Sequence, residues 1–178
     1  SFSLEVISVN DAPVIDSISN QEIDEDTSLT LLLSAADVEG DDLTFSAFNG
    51  DTYLEVTGNI LTVVPNSDFN GDIEIEVMVG DGQDSDSTSF TLTILPINDA
   101  PVVINTIDDV ILFEDADSYS IDISNIFSDI DGDVLELSSS NGEPEISIEG
   151  SILTITLPEN YNGSDTITVS ASDGEESV

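Results

Sequence analysis

The stretch VNDAPV at residues 9–14 returns as INDAPV at residues 97–102, 88 positions later. Further motifs return in the same order, namely Glu25-Asp26 as Glu114-Asp115, DVEGD (37–41) as DIDGD (129–133), GNILTV (58–63) as GSILTI (150–155), and Asp81-Gly82 as Asp173-Gly174. A repeat of about 90 residues that occurs twice predicts two domains with one shared architecture.

Short runs of alternating apolar and polar residues lie between these motifs. The clearest runs are 73–79 and 90–94 in the first repeat, and 119–123 and 167–171 in the second. Such alternation predicts strands with one buried face, and the intervening Gly, Asn, Asp and Pro residues predict turns. About seven such strands in ~90 residues are typical of a Greek-key β-sandwich. The sequence therefore predicts an all-β chain of two tandem Greek-key sandwiches, with no helix.

The repeats predict a circular permutation. Residues 1–9 (SFSLEVISV) match residues 89–97 (SFTLTILPI), the closing strand of the first repeat, whereas the second repeat reaches Val178 without such a strand. We therefore expect residues 1–9 to be the closing strand of a preceding domain or a donor strand to a neighbouring subunit, residues 10–97 to be domain 1, and residues 98–178 to be domain 2 lacking its last strand. The chain is then a window from a covalent array, a subunit that exchanges strands, or a segment with an arbitrary boundary.

The charge of the chain is of one sign. Asp and Glu supply 39 of the 178 residues, while Lys, Arg and His are absent. The carboxylates must therefore be neutralised by backbone N–H groups, water or an external cation. Nucleic acid is excluded as a partner because phosphate binding needs basic side chains. Direct membrane insertion is not expected, since no apolar run approaches ~20 residues. Disorder is disfavoured by the alternating apolar runs.

One acidic loop has the spacing of a cation site. Asp129, Asp131 and Asp133 alternate around a glycine, so a short loop can wrap a hard cation with oxygen ligands. Residues 37–41 repeat this device. An EF-hand is rejected because its twelfth position, Ser140, is not Glu and the surroundings are strand-like. Calcium is the expected cofactor.

Together with the Asn-Asp-Ala-Pro linkers, these motifs resemble the bacterial cadherin-like tandem domains of large calcium-dependent surface adhesins, and more distantly the animal cadherins. The resemblance covers the whole chain and implies cadherin/Ig-like sandwiches with Ca²⁺ at interdomain junctions. The residues that it implies as ligands are Glu25, Asp68, Asn98, Asp99, Asp129, Asp131 and Asp173 at the internal junction, Asn10, Asp11, Asp37, Glu39 and Asp81 at the preceding junction, and Glu114 at the following one.

The chain departs from the animal pattern in two places. The Asp-Arg-Glu motif is replaced by Asp68-Phe69-Asn70 and Asn160-Tyr161-Asn162, and the linker lacks the second Asn of Asp-Asn-x-Pro. Two structural alternatives also stay open. Asn-Asp-Ala-Pro is also typical of a simple linker turn, and the two Asp-Gly pairs are also typical of hairpin turns.

The sequence predicts a structural function. Without His, Cys or Lys there is no ordinary base or nucleophile, so we do not expect an enzyme. We expect an extracellular or cell-surface adhesive repeat, a calcium-rigidified stalk or filament whose partners are copies of itself head to tail. One alternative is a polysaccharide-binding module that contacts surface glycans, which requires an exposed aromatic platform although the chain has no Trp and three Tyr. The other is an acidic, salt-adapted domain without calcium preference.

Overall fold

The computed structural model describes residues 1–50, 53–140 and 144–178. These residues form β-strands, turns and loops, with no helix among them, as the sequence predicts. The chain divides into two compact units, Ser1–Ile97 and Asn98–Val178. Asn141-Gly142, which matches the Asn49-Gly50 turn of the first repeat, lies outside the described residues.

Unit 1 is a β-sandwich. Its strands are β1 (Val14–Ile15), β2 (Gln21–Asp24), β3 (Leu29–Leu32), β4 (Ala35–Ala36), β5 (Thr44–Phe48), β6 (Tyr53–Thr57), β7 (Ile60–Val64), β8 (Gly71–Gly80) and β9 (Ser85–Leu95). One sheet has the order β2-β9-β8-β5, a second has the order β3-β7-β6, and β1 pairs with β4. Strand β9 therefore lies inside its sheet, parallel to β2 and antiparallel to β8.

The core of unit 1 follows the period-two pattern of the sequence. On β9, Phe90, Leu92 and Ile94 are at most 2% exposed, and the polar residues between them face outward or are half-buried. They pack in one apolar cluster with Ile75 on β8 and Leu61 on β7. The alternation places one face of each sheet in this core.

Unit 2 repeats this architecture in part. Its strands are β10 (Val102–Val103), β11 (Tyr119–Asp122), β12 (Phe127–Ser128), β13 (Glu136–Ser139), β14 (Glu145–Glu149), β15 (Ile152–Thr156) and β16 (Val169–Ser172). Strands β11, β15 and β14 form one sheet, β10 pairs with β12, and β13 pairs with β16. The core contains Ile123, Ile126, Leu153 and Ile155.

The second sheet of unit 2 is shorter than the sequence predicts. Strand β16 has four residues, whereas its counterpart β8 has ten, so Ile167 of the predicted run lies before the strand. Residues 110–113, the counterpart of β2, form no strand. The physical reason is that neither segment has a neighbouring strand at the position of β9: among the described residues of unit 2, only Ser177, bridged to Ser172, and Val178 lie there. A ladder requires hydrogen-bonding groups on both strands.

Residues 1–9 form no strand in the single chain. Their large apolar side chains are exposed, with Phe2 at 94%, Leu4 at 80% and Val6 at 84%. The assignment of this segment as a closing or donor strand stays a prediction, as does the circular permutation.

Candidate metal centre

The acidic loop of unit 2 holds an unpaired carboxylate oxygen. Asp129 Oδ1 accepts a hydrogen bond from the Asp133 N–H at 3.2 Å, whereas Asp129 Oδ2 is buried and has no hydrogen-bond partner among the described residues. Oxygens of Asp129, Asp131 and Asp133 lie within 4.8 Å of one another. Gly132 has φ 81°, a left-handed conformation that lets the loop fold back on itself. Burying a charged oxygen without a partner is costly, so this arrangement fits a hard cation.

Unit 1 contains the same device. Asp37 Oδ1 accepts from the Asp41 N–H at 2.9 Å, and Asp37 Oδ2 is likewise buried with no partner in the described part of the chain. Gly40 takes the same left-handed turn, with φ 77°. Because the same oxygen is unsatisfied at the same position of both repeats, it is a property of this type of loop.

Each Asn-Asp-Ala-Pro segment is tied to the acidic loop of its own unit. The Asp99 N–H donates to Asp131 Oδ2 at 2.8 Å, and the Asp11 N–H donates to Glu39 Oε2 at 3.2 Å. A backbone N–H is a neutral donor, so it orients one carboxylate oxygen without neutralising the group. The other oxygen stays available to a further ligand. The linker-turn interpretation of this segment is therefore compatible with a cation site beside it.

The Asp-Gly turns place a third carboxylate against the linker of the same unit. Asp173 Oδ1 accepts from the Glu175 and Glu176 N–H groups at 2.7 and 2.6 Å, and Asp173 Oδ2 accepts from Asn98 Nδ2 at 3.1 Å. The Glu176 backbone bond, the Asn98 amide and the Glu175 backbone bond lower the pKa of Asp173. The carboxylate is thus held ionised near neutral pH.

Asp81 is bound in the same way in unit 1. Its Oδ1 accepts from the Gln83 and Asp84 N–H groups at 2.7 and 2.8 Å, and its Oδ2 accepts from Asn10 Nδ2 at 3.0 Å. The Asp84 and Gln83 backbone bonds, followed by the Asn10 amide, lower the pKa of Asp81. Asp81 therefore caps a hairpin turn with one oxygen and meets the linker with the other.

The remaining predicted ligands of unit 1 are Glu25 and Asp68. Glu25 is 4% exposed, and its Oε1 accepts from the Ile97 N–H at 2.6 Å. Asp26 and Asp68 both have left-handed backbones, with φ 58° and 56°, and the Asp68 N–H donates to Asp26 Oδ1 at 3.2 Å. Non-glycine residues adopt this conformation at a cost, so the loop is held by its surroundings.

Unit 2 repeats this loop, with one difference. Asp115 and Asn160 have φ 61° and 59°, and the Asn160 N–H donates to Asp115 Oδ1 at 2.8 Å. Glu114, the counterpart of the buried Glu25, is exposed. The structure therefore places Glu114 in solvent within unit 2.

Sequence reasoning missed the residues that organise these loops. Asp26 and Asp115 were not predicted as site residues, although they follow the predicted glutamates, and Asp41 and Asp133 were placed in the acidic loops without being assigned to a junction. Their repetition at matching positions is the signal that marks them. The Asp41 N–H donates to the candidate ligand Asp37, and Asp26 accepts from the N–H of the candidate ligand Asp68. Asp115 accepts in the same way from the Asn160 N–H.

The profile of the bacterial Ig domain matches both units, at residues 10–94 and 98–178. The chain belongs to the bacterial Ig domain family. A search of curated proteins found no match. Within this family, the two domains are tandem sandwiches of the Ig-like and cadherin-like type.

Several solved structures are similar to these tandem Ig domains. Drosophila N-cadherin EC1-4 matches with a TM-score of 0.55 at 17% identity, over 95% of this chain and 48% of that one. Titin domains Z1Z2 in complex with telethonin match with a TM-score of 0.43 at 13% identity, over 96% and 94%. An endo-fucoidan hydrolase of glycoside hydrolase family 107 matches with a TM-score of 0.43 at 20% identity, over 94% of this chain and 27% of that one. At these identities, the cadherin likeness shows the fold alone.

In the part of the chain that the structure describes, no helix has the length and apolar character needed to cross a membrane.

Proposed function

We propose that this tandem bacterial Ig protein is an extracellular structural and adhesive repeat, part of a stalk or filament, which Ca²⁺ stiffens at the junctions between domains. The observation that carries the proposal is the buried, unpartnered oxygen of Asp37 and of Asp129, each within a loop of alternating acids. A bound cation would neutralise this oxygen, and the chain has no basic side chain that could do so.

Calcium fits the donor set better than other common metals. The candidate ligands are carboxylate, amide and backbone oxygens, without the imidazole or thiolate groups that zinc prefers, since the chain contains no His or Cys. The loops are short, and three carboxylates alternate in each. Ca²⁺ accepts six to eight oxygens in irregular arrangements, whereas Mg²⁺ demands a near-octahedral site and dehydrates reluctantly.

The position of these groups along the chain supports a role at the linker. In unit 2, Asn98 and Asp99 bond to Asp173 and Asp131. In unit 1, Glu25 bonds to Ile97, the residue that precedes Asn98. An ion bound by carboxylates that are anchored on the linker restricts the linker's φ and ψ angles, and binding to one arrangement stabilises that arrangement. We propose that this coupling converts a flexible series of domains into a rod.

The proposal includes location and partners. Extracellular fluid supplies the calcium that weak carboxylate sites need, and the family is typical of surface proteins. Copies of the domain pair arranged head to tail are the proposed partners. We propose no enzymatic activity, since the candidate groups are turn carboxylates tied to backbone N–H groups.

Calorimetric titration of the metal-stripped protein with CaCl₂ tests the proposal, at fixed ionic strength and with MgCl₂ as control. We expect saturable sites selective for calcium, with Kd on the order of 10⁻³ M or tighter, the range of extracellular calcium modules. Heat from both ions without saturation or selectivity would overturn the proposed function.

A further inference from the structure

We propose that the outer face of the β3-β7-β6 sheet of unit 1 pairs with the same face of a second copy of this chain, so that copies associate side by side. We call this surface the β7 face; it consists of the even-numbered residues of β3 and β7 and the odd-numbered residues of β6. The inference goes beyond the proposed stalk, because it adds a lateral partner to the head-to-tail one. It rests on a sheet surface and not on metal binding, so each of the two proposals can fail alone.

The β7 face exposes large apolar side chains. Leu32 is 75% exposed and Tyr53 is 60% exposed, while Ile60 and Val64 are 44% and 41% exposed. The strand register sets Leu32 opposite Ile60 and Tyr53 opposite Val64, so these side chains form two cross-strand pairs on one surface. The alternate residues of the same strands, such as Leu61, point into the core. The outward apolar side chains are therefore additional to the core and form a patch typical of an interaction site.

The β7 face is almost uncharged, although the chain carries a net charge of −39. Glu55 is the one carboxylate among the eight described residues of the face, and it accepts hydrogen bonds from the Tyr53 hydroxyl at 3.2 Å and from the Thr57 hydroxyl at 3.5 Å. The outer face of the β2-β9-β8-β5 sheet is acidic by contrast. Its exposed carboxylates include Glu22, Asp24, Asp72, Glu74 and Glu76. Two copies of this chain can therefore approach closely through their β7 faces, whereas the acidic faces repel one another.

Unit 2 shows that the fold does not require an apolar surface at this position. Its β11-β15-β14 sheet repeats the register of the β3-β7-β6 sheet, but its outer face is acidic. The residues at the positions of Leu32, Tyr53 and Thr57 are Asp122, Glu145 and Glu149. Because the same architecture is built with a charged outer face in unit 2, the apolar face of unit 1 is fitted to a partner and not to the sandwich itself.

A second copy fits this face through a two-fold axis along β7. Such an axis sets β7 against β7 and β6 against β3 of the second copy. Glu55, Thr62 and Thr30 lie in one row across the three strands, so Glu55 then faces the Thr30 hydroxyl of the second copy, which can donate to it. The two Glu55 carboxylates lie at opposite edges of the pairing, about two strand spacings or 10 Å apart. Repulsion between them is largely screened at that distance.

A second copy is a better occupant than a basic protein. A partner rich in Lys and Arg would be attracted to the acidic faces, because opposite charges steer association, and not to the face with a single carboxylate. The β7 face offers hydroxyl and apolar groups, and the same face of a second copy offers groups of the same two kinds. Pairing removes the apolar side chains of both copies from water.

The size of the β7 face predicts weak pairing. Three strands at ~4.8 Å spacing and about five residues at ~3.4 Å each cover roughly 250 Å² per copy, well below the roughly 800 Å² per partner of stable complexes. We therefore expect a Kd on the order of 10⁻³ M for two copies of the chain. Stalks that present several such units side by side would bind more tightly by multivalency.

Sedimentation equilibrium of the full 178-residue chain in chelator, from micromolar to millimolar protein, tests the inference. We expect a reversible monomer–dimer equilibrium that strengthens as NaCl is added, because salt screens the repulsion between the two copies. The Leu32→Asp variant should weaken the pairing by about tenfold or more, because each copy then brings a second carboxylate to the interface. This variant should fold, since unit 2 carries Asp122 at the same position.

The matched control is Ser89→Asp, which adds the same charge at an exposed position on the outer face of the other sheet. We expect this control to pair like the wild type. In methyl NMR spectra of the wild type, the signals of Ile60 and Val64 should shift with protein concentration, whereas that of the buried Leu153 of unit 2 should not. The shifts locate the interface on the β7 face.

Four results would overturn the inference: a wild type that stays monomeric at millimolar concentration, pairing that persists unchanged in Leu32→Asp, equal weakening in Ser89→Asp, or concentration-dependent shifts confined to other surfaces. A monomer whose Tyr53 ring signals shift on addition of a neutral oligosaccharide would assign the face to a glycan instead. Pairing without calcium binding would refute only the calcium function, and calcium binding by a chain that does not pair would refute only the lateral association.

Discussion

At the scale of single residues, the site is defined by what its carboxylates lack. Asp37 and Asp129 each bond one oxygen to a backbone N–H and bury the other without a partner. By contrast, Asp81 and Asp173 use both oxygens. An unsatisfied buried oxygen of an ionised group costs more than a neutral one, so the loop is destabilised until a cation binds.

The Asp129→Asn variant tests separately the free-energy cost of the buried carboxylate oxygen and its contribution to calcium binding. We expect the variant to lower calcium affinity by about tenfold or more, equivalent to roughly 1.4 kcal/mol, because one charged ligand is lost. In chelator, the melting temperature of the variant should equal or exceed that of the wild type, since a buried unpaired charge is removed; in millimolar calcium it should be lower. Calorimetric titration and thermal melts in both media check the reversal.

The control for this substitution is Glu149→Gln, which removes one charge from an exposed position on β14. It should leave calcium affinity and the order of the melting temperatures unchanged. An Asp129→Asn variant that melts lower than the wild type in both media, with normal calcium affinity, would contradict the role assigned to Asp129.

Asp122 provides a test of acid stability away from the calcium residues. The Ser124 N–H, which donates to Asp122 Oδ1 at 2.9 Å, and the Ser124 hydroxyl lower the pKa of Asp122 in the folded chain. Its contribution is therefore fully present above the unfolded pKa of about 3.9 and is lost as the pH falls through the lower folded value. We expect the stability difference between wild type and Asp122→Asn to shrink between about pH 6 and pH 3. Denaturant titrations in chelator measure it, and a difference independent of pH would contradict the assignment.

At the scale of elements, strand length depends on partners as well as on local sequence. Strands β8 and β16 have similar alternation, yet β8 extends over ten residues beside β9 and β16 over four. Residues 110–113 and the aligned β2 show the same contrast. Among the described residues, the second sheet of unit 2 is thus limited to the two strands β13 and β16.

Sequence predicted the elements whose information is local. Alternation and turn residues located the strands, and the acid spacing located the loops that contain Asp37 and Asp129. Local sequence patterns could not predict hydrogen bonds between residues that are far apart in the chain. Asn10 bonds to Asp81 across 71 residues, and Asn98 bonds to Asp173 across 75. Resemblance to cadherins, and not periodicity, brought these residues together in advance. The unpaired state of Ile167 was also missed, because alternation does not reveal whether a neighbouring strand is present.

Truncating a core side chain should lower the free energy of unfolding more in unit 1 than in unit 2. Leu61→Ala removes a side chain that is 0% exposed in the closed core of unit 1, and should cost about 4 kcal/mol. Leu153→Ala removes the equivalent side chain of unit 2, which lines a cavity of about 920 Å³ where neighbours can relax, and should cost about 2 kcal/mol. Scanning calorimetry should show each variant shifting a different transition. Equal costs would contradict this difference between the two cores.

At the scale of the whole molecule, the charge governs the solution behaviour. The formal net charge of −39 at pH 7 has no internal counterion, so compact states experience self-repulsion that ions relieve. Monovalent salt screens this repulsion without occupying a site, whereas calcium both screens and binds. The bacterial Ig fold itself is set by the apolar alternation in both repeats, and the acids are placed in its loops and on its outer faces.

The response of stability to calcium and to monovalent salt distinguishes a calcium-binding protein from a salt-adapted one. At matched ionic strength, we expect the melting temperature to rise several degrees more in CaCl₂ than in NaCl or MgCl₂, because ligands that bind only the folded state stabilise it by mass action. Thermal melts followed by circular dichroism across the three salts measure the effect. Superimposed curves for the three salts would support the salt-adapted alternative instead.

The central claim is that calcium stiffens the domain pair, and small-angle X-ray scattering tests it most directly. The 178-residue chain is measured at several protein concentrations in millimolar calcium and in chelator, at equal ionic strength. We predict that the distribution of interatomic distances narrows to a single well-defined maximum dimension in calcium and broadens in chelator, while the circular dichroism of the sandwiches is retained. Identical scattering in the two media, with calcium shown to be bound, would contradict the claim.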